Sequence, residues 1–310
     1  MYSIKATYLY IIYTAMSFFY YFDFSINDKI MMIKEGVFLF KFNTFKPNSK
    51  LEKWIKSYWI IDYQKKSLDN HQKEKLIIPY DNVCLMFIIN PSSNKIDFFG
   101  TPIKSGIYIA PPSMNVNKII FDKDIYYIDI SLYPGVFTKL FNIPIYELED
   151  RIYDIKELSL KFDLTILETL YNLKDNSFAT VNQLDQYLFD IFKDMEEDRV
   201  LSNLLVLSKD HNLDNFYKQN VLSTRQIQRK VKDLTGITPK SIERISRFYD
   251  TLKIIKSNEN NIDFKDIAIE SNFYDQSSFI KEFKFFTGVT PTLFLLHAED
   301  FLQYRCNIFC

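Results

Sequence analysis

Glycine is scarce, with six in 310. Loops that need repeated left-handed backbone, such as glycine-rich phosphate cradles, are therefore not expected. Cysteine is rarer, with three. Cys84, Cys306 and Cys310 make an odd set without the spacing of a secreted framework, which excludes a disulfide-stapled fold and favours a reducing cytoplasm. Cys306 and Cys310 with His297 lack a fourth ligand nearby, so no metal site is expected and the tail reads as frayed. The histidines His71, His211 and His297 are scattered, and the chain has neither G-x-S-x-G nor a P-loop. An enzyme is not expected, nor a cofactor. Net charge is also missing, at −1, so the surface as a whole is no polycation.

Long apolar runs are few. Residues 6–22 carry no charge, but seventeen residues is the lower limit for a membrane span and these are aromatic rather than leucine-rich. No small-residue cleavage site follows. A start-site artefact or disordered tag (Met31 and Met32 offer a later start), extra packing and a membrane anchor all stay open for this leader.

What is abundant is aromatic: 29 Phe and 21 Tyr in a chain 47% hydrophobic. That is enough to build a full core, and the length suggests about two domains. One stretch occurs twice. Lys232, Thr235, Gly236, Thr238 and Pro239 recur, 52 residues on, as Lys284, Thr287, Gly288, Thr290 and Pro291. Ile227, Val231 and Leu234 recur in kind as Phe279, Phe283 and Phe286, spaced i, i+4, i+7 on one helical face. Two of the six glycines thus fall just past a helical run, where a left-handed C-cap is wanted.

Each copy reads as a short helix, a turn and a second helix. Ser223 with Gln226 makes a capping box, Asp275 caps the second copy, and Asn272 stands where the turn needs positive φ. Thr238-Pro239 and Thr290-Pro291 each open a following helix. Ile242, Ile245, Tyr249, Leu252 and Ile255 form one apolar stripe on a helix starting at Pro239.

The runs Leu222 to Phe248 and Ala268 to Pro291 resemble the DNA-binding domain of the AraC/XylS family of transcription regulators, two helix-turn-helix units joined by a long helix. Two departures stand out. The family usually has glycine where Asn272 stands, and a small residue near Phe216 and Tyr217. Tyr58-Trp59, Ile78-Pro79, Pro134-Gly135, Ile143-Pro144 and Glu147-Leu148 are similar to a sensor-like domain that often precedes this one. The resemblance implies a cupin-like β-barrel there, able to hold a small effector.

The pattern over residues 37–173 agrees with short strands. Apolar runs at Leu76 to Pro79, Val83 to Asn90 and Ile107 to Ala110 are split by turn signals. Ile119 to Phe121 and Ile125 to Leu132, flanking Asp122-Lys123-Asp124, read as a hairpin. Trp54, Tyr58 and Trp59 read as a core cluster, with an aromatic-lined ligand barrel as the alternative. Helical periods follow Pro134-Gly135. The expected fold is α+β: a β-rich, barrel or cupin-like domain with flanking helices, then an all-α double helix-turn-helix domain. The expected segments are a leader at 1–31, a sensor or oligomerisation domain at 32–198, the DNA-binding domain at 199–298 and a tail at 299–310.

With Ser223 at the N-cap, Thr224, Arg225, Gln228, Arg229 and Lys232 lie opposite the apolar face, where a recognition helix meets base edges. The second unit offers Gln276, Ser277 and Lys281, with Glu282 beside them. The first unit is expected to dominate specificity and the second to touch mainly phosphate. Nine basic residues against three acidic between Val221 and Lys256 make a local basic island. Lys240, Arg244 and Arg247 on the connecting helix are expected at phosphates or in solvent. The expected partner is double-stranded DNA, with a small effector, a homodimer and an RNA polymerase contact left open. The alternative is a ligand- or protein-binding scaffold whose helix-turn-helix units no longer bind DNA.

Overall fold

The computed structural model describes residues 29–31, 39–64, 74–89, 96–121, 124–148, 151–196, 199–210, 212–258 and 262–305. The charge-free stretch at 6–22, the histidines His71 and His211, and Cys306 and Cys310 lie outside them. Among the described residues no helix is long and apolar enough to cross a membrane, and no group of three or more His, Cys, Asp or Glu is placed to hold a metal ion.

The N-terminal half is built on two antiparallel sheets. The larger contains β1 (Lys29–Met31), β2 (Leu39–Phe45), β3 (Ile55–Gln64), β5 (Cys84–Ile89), β8 (Gly106–Ala110), β10 (Ile125–Leu132) and β11 (Tyr153–Asp154), in the order β1-β2-β3-β10-β5-β8-β11. The smaller contains β4 (Glu74–Ile77), β6 (Ile96–Phe98), β7 (Thr101–Ile103) and β9 (Asn117–Ile120), in the order β4-β9-β6-β7. All eight residues of β10 are buried. Its alternation divides two cores. Tyr126, Ile128, Ile130 and Leu132 face α1 (Val136–Phe141), α2 (Thr165–Asn172) and α3 (Ser177–Phe192), while Ile125 and Tyr127 face the smaller sheet. The half is therefore three-layered: helices, large sheet, small sheet.

Two expectations change here. The strands on either side of residues 122–124 do not form a hairpin, since β9 pairs with β4 and β6 while β10 pairs with β3 and β5. A strand buried on both faces takes a partner along each edge, and both edges of β10 are filled from elsewhere. The aromatic cluster of β3 also splits. Trp54 and Tyr58 enter the helix-side core, and Trp59, one residue on, must point to the other face. The hydroxyl of Tyr58 donates to Asp185 Oδ1 at 2.7 Å, which satisfies a buried acid on α3.

The C-terminal half is helical: α4 (Arg199–Asp210), α5 (Leu213–Lys218), α6 (Thr224–Thr235), α7 (Pro239–Ser257), α8 (Phe264–Glu270), α9 (Gln276–Thr287), α10 (Pro291–Leu296) and α11 (Leu302–Arg305). It docks on the β half at two places. In the first, Thr138 Oγ1 donates to the carbonyl of Leu234 at 2.8 Å, and Ile145 packs over Gly236. In the second, the segment after α10 does not trail away. Phe301 bridges Leu76 in parallel, Leu302 enters the core between the sheets, and Gln303 is fully buried. Ile78 has left the β ladder and precedes a proline, so its buried N–H and C=O need other partners. The Gln303 amide supplies both: Oε1 accepts from Ile78 N–H at 3.1 Å and Nε2 donates to Ile78 C=O at 3.0 Å.

Gly236 and Gly288 share a left-handed φ of 78° and 77°, yet an added Cβ would stand 2.6 Å from Ile145 Cγ2 at the first and meet nothing within 4 Å at the second. Gly288→Ala is expected to cost about 1–2 kcal/mol from backbone strain alone. Gly236→Ala should cost more, because it also disturbs the contact between halves. Urea titrations of the two variants check the order; equal losses would mean that the Ile145 contact contributes nothing.

Candidate nucleic-acid interface

The two units of the C-terminal half end in the same way, atom for atom. Thr235 and Thr287 are both buried at the last turn of a helix. Each hydroxyl lies 2.8 Å from the carbonyl four residues back (Val231, Phe283) and 2.9 Å from the carbonyl two residues ahead (Ile237, Val289). Each glycine N–H then caps the carbonyl of Lys232 or Lys284. Thr238 and Thr290 accept from the N–H three residues on, with proline next in line. This local circuit accounts for the recurrence of Thr-Gly-x-Thr-Pro. It satisfies the end of one helix and starts another within four residues.

The helix starts match the sequence as well. Ser223 and Gln226 form the capping box of α6, and Asp275 forms one with Ser278 on α9. The Ser278 hydrogen bonds hold the Asp275 carboxyl below the usual carboxylate range. Asn272 takes φ 56° at the turn between α8 and α9, the position for which glycine is the common choice. Phe216, in place of a small residue, is buried in the first unit's core with Ile227, Val231 and Ile242. Tyr217 is half-buried against the same core.

On α6 the buried residues are Ile227, Val231 and Thr235. Ser223, Thr224, Arg225, Gln228, Arg229 and Lys232 are all exposed. Arg225, Gln228, Arg229 and Lys232 line one open concavity with Tyr217, Thr238, Pro239 and Lys240. Gln228 Nε2 donates to the Tyr217 hydroxyl at 3.1 Å, so a side chain from α5 orients the amide on α6. That role of Tyr217 was not legible in the sequence, where it appeared only as a bulky departure. On α9, Gln276, Ser277 and Lys281 are exposed and Ile280 is half-buried. Tyr274, on the turn just before α9, is 98% exposed and stands beside this surface.

The connecting helix differs from expectation. Arg244 and Arg247 do not project freely. Arg244 grips Glu282 of α9 through two bonds of 2.8 Å, Nε to Oε1 and one terminal nitrogen to Oε2, and it lies over the ring of Phe285. Arg247 pairs with Glu243 at 3.2 Å and approaches Glu282 at 3.7 Å. Lys240 pairs with Glu243 at 2.8 Å while staying largely exposed. Glu282 is thus a strut between α7 and α9 whose charge is matched by arginine, rather than an isolated negative charge beside Lys281.

Comparison with known proteins agrees with this geometry. Residues 218–296 match a helix-turn-helix domain family, and residues 43–154 match a domain family of unknown function, DUF6597. A search of curated proteins returned no match. Among solved structures, ToxT from Vibrio cholerae aligns at 12% identity over 72% of this chain and 96% of its own, with a TM-score of 0.39. A second ToxT structure, with unsaturated fatty acid bound, aligns at 15% identity over 85% and 97%, with a TM-score of 0.38. Likenesses at that level speak to neither ligand nor assembly.

If the Arg244–Glu282 pair fixes α9 on α7, a double-mutant cycle of Arg244→Met and Glu282→Gln should return a coupling of about 0.5–3 kcal/mol in denaturant titrations. A coupling of zero would mean that the cores alone orient the second unit.

Proposed function

We propose that this chain, whose residues 218–296 form an AraC-type helix-turn-helix domain, is a sequence-specific transcription regulator that reads double-stranded DNA with both units. The observation that carries the proposal is the duplication itself. Two helices closed by the same threonine–glycine end each keep one apolar face inward and one polar face in solvent, on either side of a single connecting helix. Nineteen residues in α7 span roughly 28 Å. That length suits two recognition helices entering successive major grooves, about 34 Å apart along one face of a duplex.

Within the first unit, Arg225 and Arg229 are the candidates for bidentate contact with guanine, and Gln228 for adenine. Tyr217 presents Gln228 already oriented, which lowers the entropy of that contact. Ser223, Thr224 and Lys232 flank them at phosphate distance in this reading. In the second unit Gln276, Ser277 and Lys281 supply fewer base-reading groups, so α9 chiefly holds phosphate. The β half acts as the sensor: a cavity between its sheets and its two docking points on the helical half support control by a small effector. A buried free thiol at Cys84 suits a reducing cytoplasm.

Mobility-shift titrations against genomic fragments at two salt concentrations test the reading. Sequence-selective retardation that weakens with salt is expected. Arg229→Ala should lose about 1–3 kcal/mol of discrimination at the bases it reads, whereas Lys281→Ala should weaken all sequences alike and shallow the salt slope by about 1. Absence of retardation, unchanged by Arg225→Ala and Arg229→Ala, would favour a scaffold that has lost its DNA function.

A further inference from the structure

The inner face of the large sheet is mostly apolar but carries the buried polar side chains of Ser57, Asp129 and Ser131. Asp129, at the middle of β10, is 2% exposed and lies in register between Trp59 of β3 and Met86 of β5. The Tyr127 hydroxyl donates to Oδ2 at 2.7 Å and the Ser131 hydroxyl to Oδ1 at 3.0 Å. Cys84 is the third group bonded to it. All three are neutral, and burial pushes the Asp129 carboxyl above its ordinary range. A sheet interior that needed only packing is served as well by valine, without the cost of removing a carboxyl from water.

Asp129 faces a cavity instead of close-packed side chains. The cavity is partly enclosed and opens at a mouth. Trp59, Tyr80, Phe99 and Tyr127 contribute rings to its lining. Burial raises the pKa of Tyr127, Cys84 and Tyr249, and the charge of Asp129 adds to the shift in each case. Lys56 reaches the lining from the start of β3, with Nζ 5.9 Å from the ring centre of Tyr249. The far wall belongs to the other half of the molecule. It is made by Tyr249 of α7 and by Leu302 and Gln303, the last of which holds Ile78.

We propose that this cavity binds a small organic ammonium compound with an apolar body, its nitrogen against Asp129 and among the aromatic rings. The cation brings a positive charge against the buried acid. The faces of tryptophan and tyrosine attract it, most of all when water is excluded. A ligand seated there touches the connecting helix and the Gln303 clasp directly, so its occupancy is felt where the two helix-turn-helix units are joined. That consequence rests on the regulator reading; the binding itself does not.

Calorimetric titration of the full chain is the test, with 2-phenylethylamine and its trimethylammonium derivative set against the isosteric 3-phenylpropanoate and the neutral 3-phenylpropan-1-ol. The amines are expected to bind about tenfold or more tightly than the acid and the alcohol. Asp129→Asn, which keeps size and removes charge, should weaken the amines roughly thirtyfold. The ligand comparison on the unaltered chain stands even if that variant folds poorly. Equal or tighter binding of the acid or alcohol, no binding of either amine up to millimolar concentration, or an amine affinity unmoved in a folded Asp129→Asn variant overturns the proposal. DNA retardation measured without ligand separates the two ideas: retardation without amine binding rejects this site alone, and amine binding without retardation rejects only the regulator.

Discussion

One helix belongs to two cores, and the arrangement of the C-terminal half follows from it. Near its start α7 gives Ile242 to the core of the first unit, with Phe216, Ile227 and Val231. From the next turn onward Ile245, Phe248, Leu252 and Ile255 serve the core of the second, where Phe248 stacks on Phe286 at 4.7 Å and meets Phe283 edge-on at 5.3 Å. Because both cores claim the same rigid rod, neither unit can rotate without unpacking side chains that are fully buried. The separation of α6 and α9 is then set by helical rise rather than by a flexible linker. The double grip of Arg244 on Glu282 adds a directional contact to this non-directional packing.

The two halves of the molecule are joined with comparable economy. The first unit meets the β half through Thr138 and Ile145, and the second through the segment that follows α10. Both joints use backbone groups that would otherwise be buried without partners: the Leu234 carbonyl in one case, and the N–H and C=O of Ile78 in the other. Neutral hydrogen bonds of this kind contribute modestly when made, about 1 kcal/mol net, and cost more when broken and left buried. A joint built this way is stable but not permanent. That is the property the proposed regulator reading calls for.

Buried polar side chains sort into two kinds. Asp185 accepts from the Tyr58 hydroxyl and the Asn48 N–H at Oδ1, and Thr235 and Thr287 close helix ends. These finish local structure and need nothing further. Asp129 differs in what it faces, the cavity between the sheets.

The sequence by itself determined whatever depends on near neighbours. The capping boxes at Ser223 and Asp275, the glycine ends at 236 and 288, the positive φ of Asn272 and the outward face of Arg225, Gln228 and Arg229 are governed by residues within about a turn of one another, so their pattern is complete in the chain. The duplication made them unmistakable. Tertiary structure alone decided the rest. Residues 119–132 look like a hairpin until the edges of β10 are seen to be taken by β3 and β5. Arg244 and Arg247 look like phosphate ligands until Glu282, 38 residues beyond Arg244, comes within reach. Gln303 looks like part of a loose end until it finds Ile78, 225 positions earlier. A side chain's choice between solvent, ligand and ion pair is settled by which distant group folding brings beside it, and no local periodicity encodes that distance.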